Sequence, residues 1–133
     1  RVGEAIAAGT PIHEHEVMEW LQQQFAAHGL FTDHGPNVSA SENAANPHYE
    51  PSAAHPRRIV KGDVLLIDLW ATKQRPGAMW ADQTYMAVVG EPTAKQREVW
   101  SAIRDARDAA IALLIKKLAA GEAVQGREAD AAA

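Results

Sequence analysis

Residues 64–70 read Val-Leu-Leu-Ile-Asp-Leu-Trp, an almost unbroken apolar run with one acidic residue, Asp68, inside it. A short run of this kind is typical of a strand that is covered on both faces, and we predict a strand from Asp63 to Trp70. An unpaired carboxylate in such a strand would strongly oppose folding. Asp68 is therefore expected to face a cation or a set of hydrogen-bond donors.

A second strand is predicted from Met79 to Val89, where apolar and polar residues alternate after a Pro76-Gly77 turn. If the hairpin folds symmetrically about Arg75, Asp68 and Asp82 lie directly opposite each other on the two strands. Their Cβ atoms would then be about 5 Å apart, so the two like charges would repel. A divalent metal between them would remove the repulsion, because carboxylate oxygens bind such ions at about 2.0–2.2 Å.

A simpler interpretation of the two aspartates stays open at this point. Acidic residues on adjacent strands usually face water or pair with a basic residue, and Lys73 and Arg75 in the turn could be those partners. The register is also inferred, and a shift of one residue would turn one carboxylate to the opposite face of the sheet.

The residues before the hairpin predict a helix and then an extended region. Thr10 followed by Pro11 is typical of a helix start, and Gly29 is expected to end that helix. From Leu30 to Ile59, prolines and asparagines recur, which favours extended segments and turns. Binding and catalytic residues often lie in segments of this kind.

The residues after the hairpin predict one long amphipathic helix. Thr93 and Gln96 resemble a capping box, and apolar residues then recur at helical spacing up to Gly121. The first residues read as the end of a helix, terminated at Gly9, and residues 126–133 read as the start of another. We therefore expect a single domain over residues 1–133 that is truncated at both ends.

Composition excludes several classes of protein. The net charge is -4 with acids and bases interspersed, so we expect no nucleic-acid partner. There is no cysteine, hence any metal must be held by histidine and carboxylates. Apolar stretches are too short for a bilayer span and no signal pattern is present, so a cytoplasmic protein without a membrane partner is expected.

Three motifs in sequence order resemble the pita-bread metallopeptidases, a family that includes aminopeptidase P, prolidase, methionine aminopeptidase and creatinase. The motifs are Asn-Ala-Ala-Asn-Pro-His-Tyr-Glu-Pro at residues 43–51, Lys-Gly-Asp-Val-Leu-Leu-Ile-Asp-Leu-Trp at 61–70, and Ala-Asp-Gln-Thr at 81–84. The resemblance implies an α+β fold: half of a pita-bread domain, with a curved antiparallel sheet and helices on its outer face. Residues 1–133 would be the first half of that catalytic domain.

The resemblance also implies a site. Asp68 and Asp82 match the family's two aspartates that bind a pair of divalent ions, with Mn, Co, Zn or Fe as the candidates. His48 matches the histidine that contacts the substrate near the scissile bond and helps stabilise the developing charge. In the family, a histidine and two glutamates from the second half complete the ligand set, so the isolated chain is expected to bind metal weakly and to be inactive.

The motif at residues 43–51 is closer to aminopeptidase P and prolidase than to methionine aminopeptidase, which implies hydrolysis of an N-terminal peptide bond before proline. Two residues depart from the family pattern: Trp70 stands where glycine is common, and Tyr85 stands where arginine is common. Both are expected to narrow the substrate pocket.

Two other functions stay open. A pita-bread domain can lose catalysis and bind a peptide or protein, since a fold does not fix a function. The second alternative is creatinase-like chemistry without metal. Family members of that kind tend to lose the two aspartates, whereas this chain keeps both. The expected partners are a peptide substrate, the missing second half of the domain and, because the open inner face would be partly apolar, a second copy in a homodimer.

Overall fold

The computed structural model describes residues 1–133, and its contacts divide the chain into two compact units, Arg1–Glu91 and Pro92–Ala133. The first unit contains two helices, α1 (Val2–Ala7) and α2 (Glu14–Ala27). Its four strands are β1 (Leu30–Phe31), β2 (Asn37–Ala40), β3 (Val64–Lys73) and β4 (Ala81–Val88), and a 3-10 helix occupies Ser41–Ala45. The mixed helices and open antiparallel sheet confirm the expected α+β class, consistent with half of a pita-bread fold.

Strand β3 is the centre of the sheet. It pairs antiparallel with β1, β2 and β4, and because β2 and β4 both bond to its first half, they lie on opposite edges of β3. The apolar run that marked this strand in the sequence thus forms the only strand with three partners.

The core of the first unit lies on one face of the sheet. Side chains on that face include Val38 of β2 and Leu65 of β3, and they pack with Val17 of α2 and with Ile59. Residues of α1, Ile6 among them, cover the edge of this cluster. Asp68 lies on the opposite face of the sheet. The apolar residues of α1 and α2 in this cluster do not pack on that face.

Helix α2 starts later than the Thr10-Pro11 signal indicates. Its N-cap is His13, whose backbone N–H donates to the Glu16 carboxylate at 2.7 Å. The residues before it are extended because Ile12 is buried in the core and its carbonyl accepts the Ile59 N–H at 2.9 Å. Burial of Ile12 has overridden the local preference for a helix at Pro11.

Glycines end the two helices of this unit as expected. Gly9 has φ +69° and Gly29 has φ +67°, so both adopt the left-handed conformation that terminates a helix at little steric cost.

The second unit is a pair of helices, α3 (Ala94–Ala119) and α4 (Gly126–Ala132). The predicted capping box of α3 is confirmed: the Thr93 hydroxyl accepts the Gln96 N–H at 3.2 Å, and the Gln96 side chain accepts the Thr93 N–H at 2.7 Å. Lys117 and Glu128 form an ion pair between the two helices. None of the chain's helices is both long and apolar enough to cross a membrane.

Candidate metal and substrate site

The hairpin of β3 and β4 has a different register from the one predicted. Asp68 lies opposite Thr84, and Asp82 lies opposite Trp70, so the two aspartates are not directly opposed. The turn is centred one residue later than Arg75, because Gly77 takes φ +71° and the Thr72 hydroxyl donates to the Met79 carbonyl at 3.0 Å. The prediction of direct opposition was therefore wrong.

The two carboxylates nevertheless share one face of the sheet. Each partner is displaced by two residues, and side chains in a strand alternate with a period of two, so the displacement keeps the face. Asp68 and Asp82 become diagonal neighbours, a relation in which Cβ atoms are about 7 Å apart. Side chains of this length can still converge on one ion from that separation.

The protein itself does little to satisfy these two carboxylates. Asp68 accepts one hydrogen bond, from the Thr84 hydroxyl at 2.7 Å, and Asp82 accepts none. Neither forms an ion pair with Lys73, Arg75 or any other basic residue. Carboxylate oxygens without protein donors suit a divalent cation, so this pair fits the metal that the motif implies.

The pair does not form a full coordination shell within these residues. No group of three or more histidine, aspartate or glutamate side chains is close enough to hold one ion. Asp68 and Asp82 therefore offer two ligands, and a complete site needs others.

The surroundings of the aspartates are more open than the apolar sequence predicted. Asp68 is half-buried and Asp82 is exposed, as are all residues of β4 except Val88. The expectation of a strand covered on both faces holds only in part for β3: its side chains on the face of Asp68 are half-buried, because the apolar residues of α1 and α2 pack against the other face.

Two buried polar residues of β2 share the face of Asp68, and sequence reasoning missed them. Asn37 lies opposite Asp68, and Ser39 lies opposite Leu66. Both are buried, and neither Asn37 Oδ1 nor Ser39 Oγ has a hydrogen-bond partner. Their alternation along β2 was visible in the sequence, but the pairing of β2 with β3 was not.

The two departures from the family pattern lie on opposite faces. Trp70 is on the face of the aspartates, and its Nε1–H donates to Asp33 Oδ1 at 2.7 Å, which is the main cause of the lowered pKa of Asp33. Tyr85 is on the other face, because it follows Thr84 by one residue in the strand. Trp70 thus lies beside Asp82, whereas Tyr85 faces away from both aspartates, so the expectation that Tyr85 narrows a pocket at the aspartates does not fit its position.

His48 lies in a tight turn that follows the 3-10 helix, and its side chain is exposed. Its backbone N–H donates to Asn46 Oδ1 at 3.0 Å, and the Tyr49 N–H donates to the Asn46 carbonyl at 3.1 Å. Its imidazole forms no hydrogen bond or ion pair with Asp68 or Asp82. The structure therefore places the two aspartates on one face of the hairpin, and His48 lies on a hydrogen-bonded turn without a bond to either of them.

A buried carboxylate supports that turn. Glu14 is only 1% exposed, and its oxygens accept hydrogen bonds from the Ala40 N–H at 2.5 Å, the Asn43 amide at 3.0 and 3.2 Å, and the Tyr49 hydroxyl at 2.5 Å. Burial and the bond to Glu14 raise the pKa of Tyr49 to about 12. Glu14 was not singled out from the sequence, because its donors lie 26 to 35 residues away and give no local signal.

A second charged cluster fixes the start of β3. Arg57 donates to Asp63 Oδ2 at 2.5 Å and also pairs with Glu42 at 3.1 Å. Burial acts to raise the pKa of Asp63, but hydrogen bonds from Arg57, the Val60 N–H and the Ser41 hydroxyl outweigh it and lower the pKa to about 2. The cluster connects the chain on both sides of the residue 43–51 motif to the strand that carries Asp68.

The model of metallopeptidase family M24 matches the chain over residues 1–133. The chain belongs to metallopeptidase family M24. Membership in M24 agrees with the resemblance to pita-bread metallopeptidases and identifies a metal-dependent peptidase in general terms, in a family that typically uses divalent metals. Comparison with curated proteins found no match.

Proposed function

We propose that this M24 chain is part of an aminopeptidase or dipeptidase of the Xaa-Pro type, which hydrolyses the bond after an N-terminal residue. The observation that carries the proposal is the aspartate pair: Asp68 and Asp82 share one face of a hairpin, with one protein hydrogen bond and no basic partner between them. The preference for proline rests on the motif at residues 43–51 alone.

In this proposal Asp68 and Asp82 would be two of the ligands that hold a pair of divalent ions. When bound, paired ions lower the pKa of a shared water and polarise the carbonyl of the scissile bond. The Thr84 hydroxyl, by donating to Asp68 at 2.7 Å, fixes the orientation of that carboxylate and leaves its second oxygen free. Trp70 forms one wall of the pocket beside Asp82.

His48 is proposed to donate a hydrogen bond to the substrate near the scissile peptide, where negative charge develops. An exposed imidazole on a tight turn can approach a substrate from outside the sheet, and it needs no contact with the aspartates for that role. The proposal requires a histidine and two glutamates from outside these 133 residues to complete the site, with one of the glutamates as the general base.

The test is hydrolysis by the full-length protein. With Mn²⁺ or Co²⁺ present, we expect release of the N-terminal residue from a peptide with proline in the second position, and slower release when alanine replaces that proline. Cleavage of both peptides at equal rates would support a peptidase and contradict a preference for proline. Metal-dependent binding of peptides without cleavage would favour the non-catalytic binding module.

The isolated 133-residue chain gives a second test. Because it supplies only two of the proposed ligands, we expect weak metal binding and no turnover. Calorimetric titration that showed tight uptake of two Mn²⁺ or Co²⁺ ions per chain would overturn the proposed division of ligands.

A further inference from the structure

We propose that Glu14 is a positioning residue for His48 and acts through Tyr49; this inference rests on the proposed role of His48. The one buried carboxylate of α2 connects the helix to the turn that carries the proposed substrate contact. No other residue of the helix makes a side-chain hydrogen bond to that turn.

Glu14 accepts hydrogen bonds from three separate parts of the chain. Its two oxygens accept four hydrogen bonds from three residues: Ala40 at the end of β2, Asn43 in the 3-10 helix, and Tyr49. These donors are 26, 29 and 35 residues away in sequence, so their convergence on one carboxylate fixes three separate points of the chain. Hydrogen bonds to a charged group are stronger than those between neutral groups.

Hydrogen bonds connect Glu14 to the residues on both sides of His48. Tyr49 is the next residue in the chain, and its hydroxyl is held at 2.5 Å from Glu14 Oε2. On the other side, the N–H of His48 itself is held by Asn46, and the Asn46 N–H donates to the Asn43 carbonyl at 3.0 Å. Asn43 is in turn bonded to Glu14, so both sides of His48 lead back to the same carboxylate.

Glu14 and His48, the two ends of this hydrogen-bonded path, differ in their exposure to solvent. Glu14 is almost fully buried, whereas the His48 side chain is exposed and makes no hydrogen bond within the chain. An exposed imidazole that must meet a substrate loses little entropy on binding only if its backbone is already fixed. The buried carboxylate provides that fixed backbone from beneath the turn.

The test uses the full-length protein and a peptide with proline in the second position. Tyr49→Phe removes one donor and keeps the ring, and Glu14→Gln keeps the size of the side chain but presents an amide N–H₂ to its donors. Glu19→Gln, an exposed residue of the same helix, is the matched control. We expect kcat to fall on the order of tenfold in Tyr49→Phe and further in Glu14→Gln, with KM little changed, because a misplaced group that acts on developing charge affects the transition state.

A purely structural role would reduce the amount of folded enzyme without changing kcat per folded molecule. Unchanged kcat in folded Tyr49→Phe would overturn the proposal, and this variant decides the question if Glu14→Gln does not fold. If the wild-type protein cleaves no peptide, the proposed function fails, and NMR of the His48 imidazole still decides the positioning role. A shifted His48 signal in Tyr49→Phe but not in Glu19→Gln supports it, and an unshifted signal in both overturns it.

Discussion

The carboxylates of Glu14 and of the Asp68–Asp82 pair lie in the same unit but in opposite surroundings. Glu14 is 1% exposed and accepts four hydrogen bonds, whereas Asp68 accepts one and the exposed Asp82 accepts none. A buried charge is tolerated only where the protein supplies its partners. A carboxylate with few partners inside the protein is available to bind a ligand, so the comparison predicts that Glu14 stabilises the fold and, under the proposed function, that Asp68 and Asp82 bind metal.

The largest effect is expected where the buried carboxylate is removed. Glu14→Ala leaves the Ala40 N–H, the Asn43 amide and the Tyr49 hydroxyl without an acceptor, at about 1–3 kcal/mol for each buried donor left unpaired. We expect the free energy of unfolding to fall by about 3–5 kcal/mol, measured by urea denaturation. Glu19→Ala on the exposed face of the same helix is the control, and an equal effect of both changes would contradict the special role of Glu14.

The second effect is expected at the open pair. Asp68→Asn in the full-length protein should weaken Mn²⁺ binding on the order of 100-fold, because it removes a charged ligand, about 2.7 kcal/mol. Unfolding of the metal-free protein should change by less than about 1 kcal/mol, since Asp68 has one hydrogen bond to lose. Calorimetry measures the change in metal affinity, and urea denaturation measures the change in stability. A destabilised protein with unchanged metal affinity would contradict the prediction.

A smaller effect should follow from pH at the Asp63 cluster. The pKa of Asp63 is lowered to about 2 in the folded protein and is about 4 in an unfolded chain, so the charged form is favoured by folding. The resulting stabilisation, about 2 kcal/mol, is fully present above pH 4 and is lost as the pH falls toward 2. Urea denaturation of the Asp63→Asn variant should show a smaller loss of unfolding free energy between pH 4 and pH 2 than the wild type shows. An equal loss in both proteins would show that Asp63 is not its cause.

The smallest effect is expected at Tyr49, in the alkaline range. Its pKa of about 12 lies above the value of about 10 for an unfolded chain, so its contribution to stability is present below pH 10 and is lost as the pH rises toward 12. In the Tyr85→Phe variant of the 133-residue chain, Tyr49 is the one remaining tyrosine, and its absorbance reports this titration directly. A midpoint near 10 in the folded protein would show that the bond to Glu14 is absent.

The sequence predicted the elements of this fold better than the contacts between them. The apolar run gave β3, and the Thr93–Gln96 box gave the start of α3, because both signals are local. The start of α2 was missed because burial of Ile12 decided it, and the hairpin register was missed because the turn depends on the conformation of Gly77. Because side chains alternate along a strand with a period of two residues, Asp68 and Asp82 still lie on the same face in the observed register.

The predictions about the candidate site show the same difference between local signals and long-range contacts. Asp68, Asp82 and His48 are predictions from motifs, and each motif is a continuous stretch of chain. Glu14 was not found, because its donors come from residues 26 to 35 positions away, and no spacing rule relates them. The same limit applies to Asn37, whose place opposite Asp68 depends on a strand pairing that the sequence did not reveal.

The most direct test is a crystal structure of the full-length protein grown with Mn²⁺, with anomalous diffraction to locate the ions. We predict manganese between the carboxylates of Asp68 and Asp82, at about 2.0–2.2 Å from an oxygen of each. Carboxylates on opposite faces of the hairpin, or each paired with a lysine or arginine and without manganese, would contradict the account.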